Sequence, residues 1–179
     1  VRKQIKRNMK AIERTVFMNA LQNIALVLSV MLAGCTKKPQ GTEINNGSRL
    51  PSFSVVTNDG QVVCTQDFDE GYGLIVFFYT CCPDCQLELP VVQSLYEKHG
   101  DAVRFLAISR YQGKEEVSRY WESNGLTVPF SPQNDDTVFQ LFARHTIPRT
   151  YLIHDGIIIS QWDDDPIMTE QDFSSIIHL

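Results

Sequence analysis

The stretch Leu74-Ile75-Val76-Phe77-Phe78-Tyr79-Thr80-Cys81-Cys82-Pro83-Asp84-Cys85-Gln86-Leu87-Glu88-Leu89-Pro90 decides the fold. Its apolar and aromatic run from Leu74 to Tyr79 predicts a strand buried on both faces of a parallel sheet. Pro83 suits a first helical position, where its fixed φ and missing N–H cost nothing, which makes Cys82 the N-cap. A sulfur there faces unpaired backbone N–H groups and the positive end of the helix dipole, so its thiolate is favoured and Cys82 is the candidate nucleophile. Cys85, one turn further in, can close a disulfide with Cys82 and suits a resolving thiol. The alternatives are a metal site or a pair of core cysteines. Zinc sites usually bring a second Cys or His pair at similar spacing, and the sequence has none.

The segment Phe77-Phe78-Tyr79-Thr80, then Cys82-Pro83-Asp84-Cys85 and Glu88-Leu89-Pro90, resembles the active-site segment of thioredoxin-like, membrane-tethered disulfide reductases of the TlpA/ResA type. The resemblance covers about residues 50 to 179. It implies an α/β, thioredoxin-like fold: a central mixed sheet flanked by helices, with an N-terminal β-hairpin extension. It also implies a thiol-disulfide oxidoreductase with no cofactor. One departure is Cys81, which stands where those proteins usually carry Trp.

Upstream, residues 1 to 34 read as a lipoprotein signal peptide. Lys10 and Arg14 precede an apolar run from Ile24 to Ala33, too short to span a bilayer and right for a signal core. A start at Met9 keeps both charges. Leu32-Ala33-Gly34-Cys35 resembles a lipobox, with Cys35 the lipidated residue; an ordinary signal or a retained anchor is the alternative. Residues 35 to 49 read as a flexible tether and 50 to 179 as the folded domain. Beyond residue 34 the chain holds ten basic and twenty acidic residues, which argues against nucleic acid as a partner. The expected partners are an exported protein bearing a disulfide, a membrane electron donor of the thiol-disulfide relay type, and the lipid anchor's membrane. The expected place is the cell envelope, where an exported dithiol must be kept reduced.

Within the domain, Phe53 and Val55, a turn at Asn58-Asp59-Gly60, and Val62 to Cys64 predict a hairpin with Cys64 as a buried thiol. After the cysteines, Leu87, Val91, Val92, Leu95 and Tyr96 are spaced for one buried helical stripe that Pro90 kinks and Gly100 closes in a left-handed cap. Val103 to Ile108 predicts a second inner strand. Glu115 to Asn124 predicts a helix burying Val117, Tyr120 and Trp121, and Val128 to Pro132 a loop or short edge segment. Asp135 to Ala143 predicts a short helix using Val138, Leu141 and Phe142. Asp155-Gly156 predicts a tight hairpin between Thr150–His154 and Ile157–Trp162. Thr169 with Asp172 resembles an N-cap pair for a last helix, with Phe173, Ile176 and Ile177 inward.

Three further positions bear on the chemistry. Glu88 lies on the helix side that holds the thiols; a partly buried carboxylate there has a raised pKa and can move a proton near neutral pH, as the resembling family's acid at this position is proposed to do. Pro148 directly precedes a strand, and the resemblance implies a cis Ile147-Pro148 bond against the catalytic pair, with the Ile147 backbone pairing with an extended substrate. Cys81 beside that surface is an inert replacement, a third redox participant or a soft-metal ligand.

The negative charge of Asp84 opposes the Cys82 thiolate, and a less stabilised thiolate makes a more reducing couple, so a reductase is expected. Two alternatives stay open. Thr80 with Cys82-Pro83-Asp84 also resembles the segment of copper-handling SCO-type proteins, which pair Cys-x-x-x-Cys with a distant His; His145 is the nearest candidate. A thiol peroxidase is the other, although Tyr79 stands where the usual Thr precedes the attacking Cys.

Overall fold

The structure is a computed structural model, and it describes residues 43 to 178. The expected signal segment and Cys35 lie outside the described residues.

A five-stranded sheet runs in the order β5-β4-β3-β6-β7, built from β3 (Tyr72–Phe78), β4 (Val103–Ser109), β5 (Phe130–Ser131), β6 (Arg149–His154) and β7 (Ile157–Trp162). β3 pairs in parallel with β4 and antiparallel with β6, so the sheet is mixed. A separate hairpin joins β1 (Ser54–Val56) to β2 (Val62–Cys64). Helices α1 (Pro83–His99), α2 (Lys114–Asn124) and α3 (Glu170–Ile176) and two 3-10 turns, Thr65–Phe68 and Phe139–Leu141, complete the described elements.

Alternation along β3 divides the core. Leu74, Val76 and Phe78 pack with Cys85, Leu89, Val92 and Leu95 of α1, Trp121 of α2 and Phe173 of α3. Ile75 and Phe77 face the other way, onto Phe53, Phe68, Phe139, Phe142 and Tyr151. Both faces of β3 are therefore covered, as its unbroken apolar run requires. Gly73 fits this packing because a Cβ there would stand 2.3 Å from the Phe68 ring.

Two caps illustrate local chemistry. Asp155 and Gly156 both take positive φ, the geometry of a two-residue turn whose twist matches its strands. Gly125 ends α2 in the left-handed conformation.

Several expectations need correction. Gly100 is right-handed at φ −59, because the chain continues into a further turn in which the Ala102 N–H donates to His99 O at 2.9 Å. Its lack of a side chain serves contact instead, since a Cβ would meet Tyr96 O at 2.7 Å. Leu87 is 63% exposed, because it lies two residues from Cys85, which at 100° per residue is nearly the opposite side. The buried stripe is Cys85, Glu88, Leu89, Val92, Gln93 and Leu95. The expected helix at 135–143 is only a 3-10 turn at Phe139–Leu141, and Phe139 rather than Leu141 enters the core. Tyr120 and Ile176 are half-buried. Cys64 is half-buried too, its thiol donating to Asp67 Oδ2 at 3.3 Å.

The end of the expected tether is held on the fold. Ile44 is buried and its N–H donates to Phe142 O, while Glu43 pairs with Arg149 at 2.8 Å.

Candidate active site

Cys82 caps α1 in extended geometry, φ −81 and ψ 122, with Pro83 as the first helical residue. Its sulfur accepts the Cys85 N–H at 3.4 Å, the arrangement that offers a thiolate the helix's orphan donors. Across the gap, the Cys82 thiol donates to Ile147 O at 3.6 Å, and the Ile147-Pro148 bond is cis. A buried Pro148 thus stands beside the pair. Cys81, Cys82 and Cys85 are all free thiols, with Cys81 exposed, Cys82 half-buried and Cys85 buried.

Behind the thiols sits Glu88, 1% exposed. Its Oε1 accepts the Thr150 hydroxyl at 3.0 Å and the Met168 N–H at 3.2 Å, and its Oε2 has no partner. Burial pushes its carboxyl up to about 7, against the lowering effect of the Thr150 and Met168 hydrogen bonds. The Cys85 thiol is pushed well up, first by burial, then by the Cys82 hydrogen bond and the negative charges of Cys82 and Glu88. Cys85 therefore needs a base close by, and an acid that exchanges its proton near neutral pH lies one helical turn away.

The loop into Cys82 is clamped by two glutamines. Gln112 Oε1 accepts the Thr80 N–H at 2.6 Å, and Gln112 Nε2 donates to Thr80 Oγ1 at 2.7 Å and to Glu116 Oε1 at 2.6 Å. Gln86 Nε2 donates to Thr80 O at 2.8 Å. Neither glutamine, nor Thr150, nor the Met168 N–H, is apparent from the cysteine motif. Gln112 stands just beyond the carboxyl end of β4, where sites of parallel sheets gather, and that position was its one available signal. Thr150 follows Pro148 by two residues and points to the Glu88 side because strand residues alternate.

Among the described residues, no three His, Cys, Asp or Glu side chains converge to hold a metal ion. His145 lies exposed and does not join Cys81 and Cys85 in a ligand set.

A mixed five-stranded sheet with a dithiol at a helix N-terminus and a cis-proline opposite defines a thioredoxin-like protein. The model of the AhpC/TSA family matches residues 46 to 161, and the chain belongs to that family. It is 29% identical over 153 residues to the thiol-disulfide oxidoreductase ResA of Geobacillus thermodenitrificans, covering 83% of this chain and 84% of the relative. It is 28% identical over 124 residues to the sporulation thiol-disulfide oxidoreductase A of Bacillus subtilis, covering 66% and 74%. In fold, it is similar to a putative protein disulfide isomerase from Bacteroides thetaiotaomicron, with a TM-score of 0.68 and 24% identity over 76% of this chain and 88% of the other. StoA from Bacillus subtilis is similar at a TM-score of 0.57 and 24% identity, over 72% and 98%. No helix among the described residues is long and apolar enough to cross a membrane.

Proposed function

We propose that this chain is an exported thiol-disulfide oxidoreductase that reduces protein disulfides through Cys82 and Cys85. The observation that carries the reading is the stacking of four groups: the Ile147 carbonyl, the half-buried Cys82 thiol, the buried Cys85 thiol and the buried Glu88. The names of the ResA and sporulation relatives support the same chemistry.

In the forward step, the Cys82 thiolate attacks one sulfur of the substrate disulfide; a mixed disulfide forms and the other substrate sulfur leaves as a thiolate, which takes a proton. Glu88 then takes the Cys85 proton, and the Cys85 thiolate attacks the Cys82 sulfur. The second substrate sulfur leaves and the Cys82–Cys85 disulfide forms. Two electrons have passed to the substrate, and a membrane thiol-disulfide donor restores the dithiol. Ile147, Pro148 and Cys81 border the sulfur that substrate must reach, the Ile147 backbone serving an extended segment. Cys35 carries the lipid anchor and holds the domain at the envelope membrane.

Single turnover of the pre-reduced full chain with a protein disulfide tests this. One substrate disulfide lost per Cys82–Cys85 disulfide formed supports it; substrate reduction that survives Cys82→Ser overturns it.

A further inference from the structure

We propose that the cleft beside the cis-proline is a subsite for a cationic side chain, lysine or arginine, carried by the substrate next to its reacting disulfide. The inference rests on the oxidoreductase reading above. The cleft holds about 260 Å³ and is lined by Arg149, Gln161, Trp162, Asp163, Asp165 and Pro166.

Its position follows from the strand register. Arg149 directly follows Pro148, and Trp162 is the register partner of Thr150 at the same end of the sheet. The Ile147 carbonyl is the group that the Cys82 thiol touches. A residue advances an extended chain by about 3.3–3.6 Å, so a substrate whose sulfur meets Cys82 beside Ile147 lays a residue one or two positions away against this cleft.

The lining selects the occupant by charge and by hydrogen bonding. The Arg149 guanidinium is already engaged, at 2.8 Å by Glu43 and at 3.2 Å by Asp163. Asp163 and Asp165 in the lining, with Glu43 outside it on the same guanidinium, outnumber the one cation and leave the cleft negative. Gln161 Oε1 is buried and has no partner. A lysine ammonium carries three donors and no acceptor, and an arginine guanidinium five, so either can serve Gln161 Oε1, while the Glu43 and Asp163 carboxylates already accept from Arg149. The Trp162 ring adds a face on which a cation is favoured. An anionic side chain would meet the Asp163 and Asp165 carboxylates, with the one cation of the lining, Arg149, already paired. An amide side chain is the competing occupant, because it would also serve Arg149 Nε, the second buried atom without a partner here.

The site connects directly to the chemistry. The loop that leaves the cleft at Pro166 reaches Met168, whose N–H binds Glu88 Oε1. The described residues hold twenty acidic and eight basic side chains, so a basic partner is also drawn in at long range, and the test must separate that attraction from the subsite.

The experiment is single-turnover reduction, by the pre-reduced full chain, of three model disulfide peptides differing only in one residue beside the cysteine: Lys, Gln or Glu. Asp165→Asn is compared with Glu122→Gln, which removes the same charge from the exposed face of α2. The expected order of kcat/KM is Lys over Gln over Glu, with Lys about tenfold above Glu, a ratio equivalent to about 1.4 kcal/mol. Asp165→Asn is expected to collapse that ratio several-fold and Glu122→Gln to leave it. Equal rates for the three peptides, preference for Gln, or equal losses in both variants would overturn the subsite. The uncharged hydroxyethyl disulfide separates the two layers: reaction with it alongside no peptide preference sinks the subsite alone, and no reaction with any disulfide sinks the oxidoreductase reading as well.

Discussion

The hydroxyl of Thr150 donates to Glu88 Oε1 at 3.0 Å, and this strand-to-helix contact holds a carboxyl that is 1% exposed one turn beyond a buried thiol. One oxygen of Glu88 is thereby fixed and the other, Oε2, is free to carry a proton.

The raised carboxyl makes the fold sensitive to pH. The unfolded chain releases this proton near 4.5 and the folded one near 7, so between those values the folded state binds more protons and stability falls as pH rises. Above pH 7 the cost is complete, on the order of 3 kcal/mol. Glu88→Gln is expected to become more stable than the parent as pH goes from 4 to 8. Urea unfolding at both ends of the range measures this; a variant that loses ground at pH 8 would contradict it.

The same substitution is expected to slow resolution of the mixed disulfide. Loss of a positioned acid–base group costs about 10²-fold or more, and the pH limb near 7 should vanish with it. Thr150→Val acts in the other direction on the limb. Its hydroxyl lowers the Glu88 pKa, so its removal is expected to shift the limb upward, readable in the pH profile of single-turnover rates.

Cys85→Ser is expected to stall at the first step and accumulate a mixed disulfide through Cys82, visible on a non-reducing gel and by mass. Cys82→Ser should form none. A stable adduct on Cys85 instead would reverse the assigned order of attack.

Gln112 is buried and binds both the N–H and the hydroxyl of Thr80. Gln112→Leu strands those groups, with an expected loss of about 1–3 kcal/mol. It should also change the rate at which iodoacetamide alkylates Cys82, because Thr80 sets the loop; unchanged stability and unchanged alkylation would remove this role.

Features written in short-range chemistry were legible. The apolar run into Cys82-Pro83, the Asp155-Gly156 turn, the helix ending at Asn124 and the Thr169–Asp172 cap each depend on residues close in sequence. The cis-proline was reached through resemblance, not through spacing. What stayed hidden depends on partners far along the chain. Gln112 is 32 residues from Thr80, and Met168 is 80 from Glu88. The exposure of Leu87 depended on helical phase, which a loose reading of apolar spacing missed by two positions. Gly100 was mistaken for a left-handed cap because a glycine needed for close approach looks the same in sequence as one needed for positive φ.

The central claim is that Cys82 and Cys85 form one reducing couple. Its most direct measurement is equilibration of the full chain with dithiothreitol or glutathione buffers, with the disulfide mapped by alkylation and mass, repeated for Cys81→Ser. The account predicts a single two-electron couple between Cys82 and Cys85, near thioredoxin's value of about −270 mV and unchanged by Cys81→Ser. A couple as oxidising as the DsbA type, about −120 mV, or one that requires Cys81, would contradict it.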